Sequence, residues 1–242
     1  YTVLDAPEVH LMLETVSGAE YRFIVTNQVI MDKAEYKNPY RLEQSPHGHL
    51  VFKAGAGAFN TQIEGKLAYK MILDRAFALK EDASSSLVLL EIAPTANFSM
   101  VIQGMLTGEA LPLVKRDFSQ EVERYNRFFG ETMNGFSLCI PGKKVPRLER
   151  LNTLSWWFTH NMLVHFSAPR GLEQYSGAGW GTRDVCQGPA EYFLATQNYR
   201  TVKEIVKIVY SRQFLEDGGW PQWFMFDRYY RIQARDSHGD IV

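Results

Sequence analysis

The sequence predicts a multidomain β + α protein, with an antiparallel β-sandwich over residues 1–112, a helical linker over 113–147 and a helical region over 148–242. Two patterns carry the prediction. Up to about residue 110, apolar side chains recur at every second position, the period of strands that bury one face. Beyond Leu113 they recur every three or four residues, the period of helices that bury one stripe. The 242 residues, 45% hydrophobic and 22% charged, suffice for one large core or two modest ones.

The strands come first. VHLMLETV (9–16) puts Val9, Leu11 and Leu13 on one face. YRFIVTNQVIM (21–31), HLVFKA (49–54), KLAYKMILD (66–74), SLVLLEIA (86–93) and NFSMVIQGML (97–106) continue the series. In the last, Phe98, Met100 and Ile102 alternate with Ser99, Val101 and Gln103. Polar stretches such as Glu81-Asp82-Ala83-Ser84 predict turns between them, and GAGAFN (55–60) predicts a turn or bulge.

The helices follow. Residues 117–136 carry Val122, Tyr125 and Phe129 at helical spacing, and Gly130 is placed to end that helix as a C′ glycine. IPGKKVPRL (140–148), with two prolines and three basic residues, reads as a linker. Over 148–167, Leu148, Leu151, Leu154, Phe158, Met162 and His165 or Phe166 form one apolar stripe. Pro189 stands where a helix would begin. Residues 201–214 open with Thr201 and Glu204 in capping-box register and carry Val202, Ile205, Val206, Val209 and Phe214 on one apolar face, with Gly218 and Gly219 closing the segment.

Composition narrows the function. A net charge of −1 leaves no basic field to hold a nucleic-acid backbone. No run of eighteen apolar residues exists to span a membrane as a helix, and a cytoplasmic location is expected. The two cysteines, Cys139 and Cys186, have no metal-type spacing, and no metal site is expected. The chain opens on Tyr1 and stops at Asp240-Ile241-Val242 without a helix stop signal, so it reads as a piece of a longer protein.

One stretch carries candidate chemistry: QYSGAGWGTRDVCQGP, residues 174–189. Gly177, Gly179 and Gly181 bracket Trp180, and Arg183, Asp184 and Gln187 follow. An indole on a glycine loop is a stacking platform for a pyranose ring. Arg183 and Asp184 can hydrogen-bond vicinal hydroxyls with charge assistance, and Gln187 adds a donor and an acceptor. The competing reading is a glycine-rich turn with a buried Trp and a surface ion pair, which would be worth little. A second stretch, 218–242, is dense in aromatics that read mainly as core and ends in a polar run containing His238 and Asp240, which read as a second loop lining the same cleft. His160 and His165, five residues apart with no accompanying Glu, read as core or rim histidines rather than zinc ligands.

These residues resemble a family. Asn152 followed by an aromatic helix, then SGAGWGTRDVCQ, is similar to the inverting glycoside phosphorylases of the cellobiose phosphorylase type, and most nearly to the 1,2-β-oligoglucan phosphorylases. The resemblance implies that residues 1–112 are the C-terminal part of a larger sandwich. It makes 148–242 the first part of an (α/α)6 catalytic barrel. It matches Arg183 and Asp184 to the Arg-Asp that binds the non-reducing-end glucosyl unit, Gln187 to the Gln that follows and Trp180 to the aromatic position before it, all expected to bind substrate, and sets Asp240, within His238-Gly239-Asp240, at an acidic pair after an arginine-rich loop. Gly188 stands where many members carry Asp, and His160 near their helix Gln, which points to a differently shaped subsite.

The implied reaction is reversible inverting phosphorolysis of a β-glucan oligosaccharide, β-1,2-linked by this resemblance. Inorganic phosphate is the co-substrate and no other cofactor is implied. One acid protonates the leaving oxygen. Phosphate is already an anionic nucleophile, so no base is needed, whereas an inverting hydrolase needs one to activate water. The family's acid lies in a Trp-Asn-Asp or Trp-Asp-Asp segment that residues 1–242 lack, so the general acid is expected beyond Val242 and the fragment alone is expected to be inactive. A homodimer is also compatible with the resemblance. The alternatives are an inverting hydrolase, told apart by phosphate dependence, and a non-catalytic carbohydrate-binding protein.

Overall fold

A computed structural model describes residues 1–30, 39–45, 47–57, 66–82, 84–105, 108–166, 179–226 and 233–234. The chain divides into two compact units, Tyr1–Val122 and Glu123–Val242.

Among the described residues, eight strands build the first unit: β1 (Glu8–Glu14), β2 (Tyr21–Gln28), β3 (Tyr40–Gln44), β4 (Leu50–Ala54), β5 (Ala68–Leu73), β6 (Phe77–Asp82), β7 (Leu87–Thr95) and β8 (Asn97–Met105). They form a five-stranded sheet in the order β1-β8-β5-β4-β3 and a three-stranded sheet in the order β2-β7-β6, with every pairing antiparallel. The expected alternation sets the core. Leu50 and Phe52 of β4, Met71 of β5, Val88 and Leu90 of β7 and Met100 of β8 cluster between the sheets. Phe52 stacks on Tyr69, with centroids 4.7 Å apart. The sequence reading passed over β3 and β6, and it took Glu81 and Asp82 for a turn. Both residues lie in β6, paired with Val88 and Leu87. Each missed strand is an edge strand, where charge is tolerated because one side of the ladder meets water.

A buried polar cluster lies on β1, β8 and the segment that follows. Glu8 Oε2 lies 2.9 Å from His10 Nε2, and Glu8 Oε1 accepts from Gln103 Nε2 at 2.8 Å. Arg116 bridges Asp5, with Nη2 3.0 Å from Oδ1, and Glu121, with Nη1 3.4 Å from Oε1. Its guanidinium is held above the usual arginine range, chiefly by the Asp5 hydrogen bond.

The division between the units falls inside α1 (Phe118–Thr132). This helix runs past Gly130 and ends instead at Asn134 and Gly135, both at positive φ, where Gly135 N–H returns to Gly130 O at 3.1 Å. In the second unit follow α2 (Pro146–Phe166), β9 (Gly179–Gly181), α3 (Thr182–Val185), a π-type turn (Cys186–Ala190), α4 (Glu191–Ala195), α5 (Tyr199–Tyr210), β10 (Trp223–Met225) and β11 (Gln233–Ala234). Two further expectations fail here. Thr201 is inside α5, which opens two residues earlier, so it caps nothing. Of the apolar stripe expected on α2, Met162 is buried, beside Thr159, but Leu151, Leu154 and Phe158 are exposed.

Candidate functional site

The site is built on a short strand. β9 pairs antiparallel with β10 in the register Gly181↔Trp223, Trp180↔Phe224 and Gly179↔Met225. Two bonds pin the next residue: Thr182 N–H donates to Gln222 O at 2.8 Å, and its buried hydroxyl donates to Pro221 O. The chain then turns straight into helix. Val185, Cys186, Pro189 and Phe193 point into the core of this unit, while Arg183, Asp184 and Gln187 point out. Burial raises the Cys186 thiol pKa and disfavours its thiolate.

Pro189 does not start a helix, as its position suggested, but sits inside one. A proline has no N–H to return to Val185, and its ring would press on that carbonyl in a regular α-helix. The helical run widens there into the π-type turn, which removes the conflict. Arg183 and Gln187, four residues apart, remain on one exposed side with Asp184 between them. None of the three engages another described side chain, so the surface ion pair of the competing reading is not formed. Gly188 lies against α2: a Cβ there would come within 3.3 Å of Met162 Sδ. That contact gives a physical reason for glycine at a position where an acidic side chain was the family expectation.

Trp180 differs from the reading as a stacking platform. It is 2% exposed and packs edge-on against Phe226 and Phe224, with centroids 4.9 and 6.2 Å away. The glycines on either side of it, Gly179 and Gly181, pair with Met225 and Trp223 of β10. The indole is committed to a cluster with Val185, Phe193, Ile205, Val209 and Phe224, and the guanidinium of Arg212 lies 4.9 Å over the Phe224 ring. Its role is to support the turn from beneath. The structure thus brings Arg183, Asp184 and Gln187 to one surface and places Trp180 below it. Asp240, His238 and the preceding loop 171–178 lie outside the described residues.

Other features are structural. His160 sits between Phe129 and Trp157, at 6.2 and 6.0 Å. Among the described residues no group of His, Cys, Asp or Glu could hold a metal, and no helix is long and apolar enough to cross a membrane. An apolar groove of about 490 Å³ runs along α2, lined by Phe136, Leu154, Trp157, Phe158 and Tyr192, and includes none of the polar trio.

Sequence reasoning missed two supports of the site. The Thr182 anchor left no signal, because its partners are backbone carbonyls forty residues on. The wide turn left one: a proline in the middle of an otherwise helical run.

Comparison with known proteins agrees with the fold and gives the kinship. Residues 1–104 match the glycoside phosphorylase supersandwich domain. Over 98% of its length the chain is 34% identical to 1,2-beta-oligoglucan phosphorylase from Listeria innocua serovar 6a, of which it spans 22%. With a sandwich of the matching kind in its first unit and this identity running through its second, the chain belongs to the glycoside phosphorylases.

Proposed function

We propose that the full-length protein carrying this chain performs reversible, inverting phosphorolysis of a β-1,2-linked glucan oligosaccharide, releasing α-glucose 1-phosphate. The observation that carries the reading is the trio Arg183, Asp184 and Gln187. Three polar side chains on one exposed side, unengaged by described neighbours, are mounted on a turn whose other side is core. A guanidinium, a carboxylate and an amide so held can divide the hydroxyls of one glucosyl ring among them, with charge-assisted bonds setting its orientation. The name of the Listeria relative supports the substrate class.

The chemistry follows from the nucleophile. Phosphate attacks the anomeric carbon opposite the leaving oxygen, the bond to that oxygen breaks, and one acid supplies its proton. The trio would hold the ring during this displacement. The acid and the phosphate ligands would come from residues outside 1–242, with His238 and Asp240 adding to the sugar site, and no resident cofactor is required.

The test is Arg183→Ala in the full-length protein. Loss of a hydrogen bond from a charged group costs about 1.5–3 kcal/mol, so kcat/KM for phosphorolysis should fall about 10- to 100-fold. The melting temperature should hold, because an exposed, unengaged side chain contributes within about 0.5 kcal/mol to stability. Unchanged kcat/KM would remove Arg183 from the site. Turnover to free glucose without phosphate would replace phosphorolysis by hydrolysis.

A further inference from the structure

Thr182 is the first residue of α3, yet its hydroxyl does not serve that helix. A threonine at a helix start ordinarily turns its oxygen onto the free N–H groups of the first turn, or onto a carbonyl one turn back. This one is 0% exposed and donates instead to Pro221 O, 39 residues on. The backbone N–H of Thr182 donates to the adjoining carbonyl, Gln222 O, at 2.8 Å, and Gly181 before it pairs with Trp223. A single hydrogen bond would leave residue 182 free to pivot about it. The second, from the side chain to the neighbouring carbonyl, stops that rotation. The acceptor is also stiff: Pro221 is buried, its φ is locked by its ring, and it leads into β10.

What the bond holds is the start of the polar trio. Arg183 is the next residue, exposed and engaged by none of the described side chains, so its direction is set where it leaves the backbone. α3 adds little stiffness of its own. It is four residues long, and Gly181 offers it no side-chain cap. Helices that short do not hold by themselves. The core contacts of Val185 lie further along and secure the inner side of the turn, not its first residue.

We propose that Thr182 is a positioning residue of the sugar site: its hydroxyl, seated on Pro221 O, fixes the direction in which Arg183 leaves the chain and so where the guanidinium meets the sugar. The inference rests on the reading of Arg183 as a sugar contact. Thr182 is buried and acts only through its neighbour. Displacing a binding group by about 1 Å can cost about 100-fold in rate, so a bond that only orients registers in turnover.

A double-mutant cycle in the full-length protein tests it. Thr182→Val, which keeps the shape and removes the hydroxyl, is made in the parent and in Arg183→Ala. In the parent it should lower kcat/KM for phosphorolysis about 10-fold, and in Arg183→Ala, with no guanidinium left to aim, no more than about 2-fold. Thr182→Ser restores the donor and should stay within about 3-fold of the parent. A purely structural bond would lower the melting temperature and leave kcat/KM unmoved, or lower kcat/KM equally in both backgrounds; either result overturns the proposal. So does a Thr182→Ser as impaired as Thr182→Val. Should Thr182→Val fail to fold, Thr182→Ala is read through the same cycle. An Arg183→Ala without effect would sink the reading of the trio and this inference with it. A loss in Arg183→Ala with none in Thr182→Val sinks this inference alone.

Discussion

Glu8→Ala should be among the costlier single changes in the first unit. The carboxylate is 3% exposed and serves two buried donors, His10 Nε2 at 2.9 Å and Gln103 Nε2 at 2.8 Å. Each bond to a charged acceptor is worth about 1.5–3 kcal/mol. Part of the sum is returned, because the carboxylate no longer has to be desolvated. Gln103 also keeps a partner in Leu111 O at 3.1 Å, whereas His10 Nε2 is left without its carboxylate. The net expectation is about 3 kcal/mol. Exchange of the β7 and β8 amides in the full-length protein reads it, since each strand is flanked on both sides and such core strands open with free energies near the global value. At 1.4 kcal/mol per tenfold, their exchange should accelerate about 100-fold or somewhat more. Glu8→Gln, which can still accept from Gln103, should cost about 1–2 kcal/mol. Exchange within about threefold of the parent in Glu8→Ala would show that the cluster is energetically idle.

Ile205→Ala empties a position with 0% exposure in the core beneath the site and should lower stability of the second unit by about 2–5 kcal/mol, measured by the urea midpoint of tryptophan emission. Gly55→Ala should destabilise the first unit by about 1–3 kcal/mol, because a Cβ would lie 2.5 Å from the Pro39 carbonyl carbon; slowed exchange in β4 would contradict it. The Tyr40 phenol is pushed up to about 12, first by burial and then by its bond to Glu81. A phenol raised in the folded state stabilises fully below the unfolded value of about 10, and that contribution is lost as pH rises from there through about 12. A tyrosinate absorbance titration should therefore lose a component near pH 12 in Tyr40→Phe.

The strands with an apolar face were legible because alternation and burial coincide: Phe98 and Met100, set on one face by period alone, lie in the core. β3 and β6 were not, because an edge strand with charged residues lacks the contrast that marks a half-buried one. The polar trio was picked out by residue type alone, and its three members are exposed. The position of Trp180 could not, because glycine neighbours are equally compatible with a ligand reaching the ring and with another strand packing against it. Only the β9–β10 register decides between these. The stripe on α2 was legible as apolar. That Leu151 and Leu154 would be exposed was not, since periodicity names a face without naming what lies against it.

The widened turn at Cys186–Ala190 makes the chain intolerant of changes in length just there. Deleting one residue together with the constraint of Pro189 would let ordinary α-helical bonding close through the gap. Each residue of an α-helix advances the side-chain direction by about 100°, so Arg183 and Asp184 would swing by roughly that angle relative to Tyr192 and Phe193. A deletion trivial in mass would re-aim the trio along the protein wall. Point substitutions at the same five positions, with the proline kept, would leave its bearing intact.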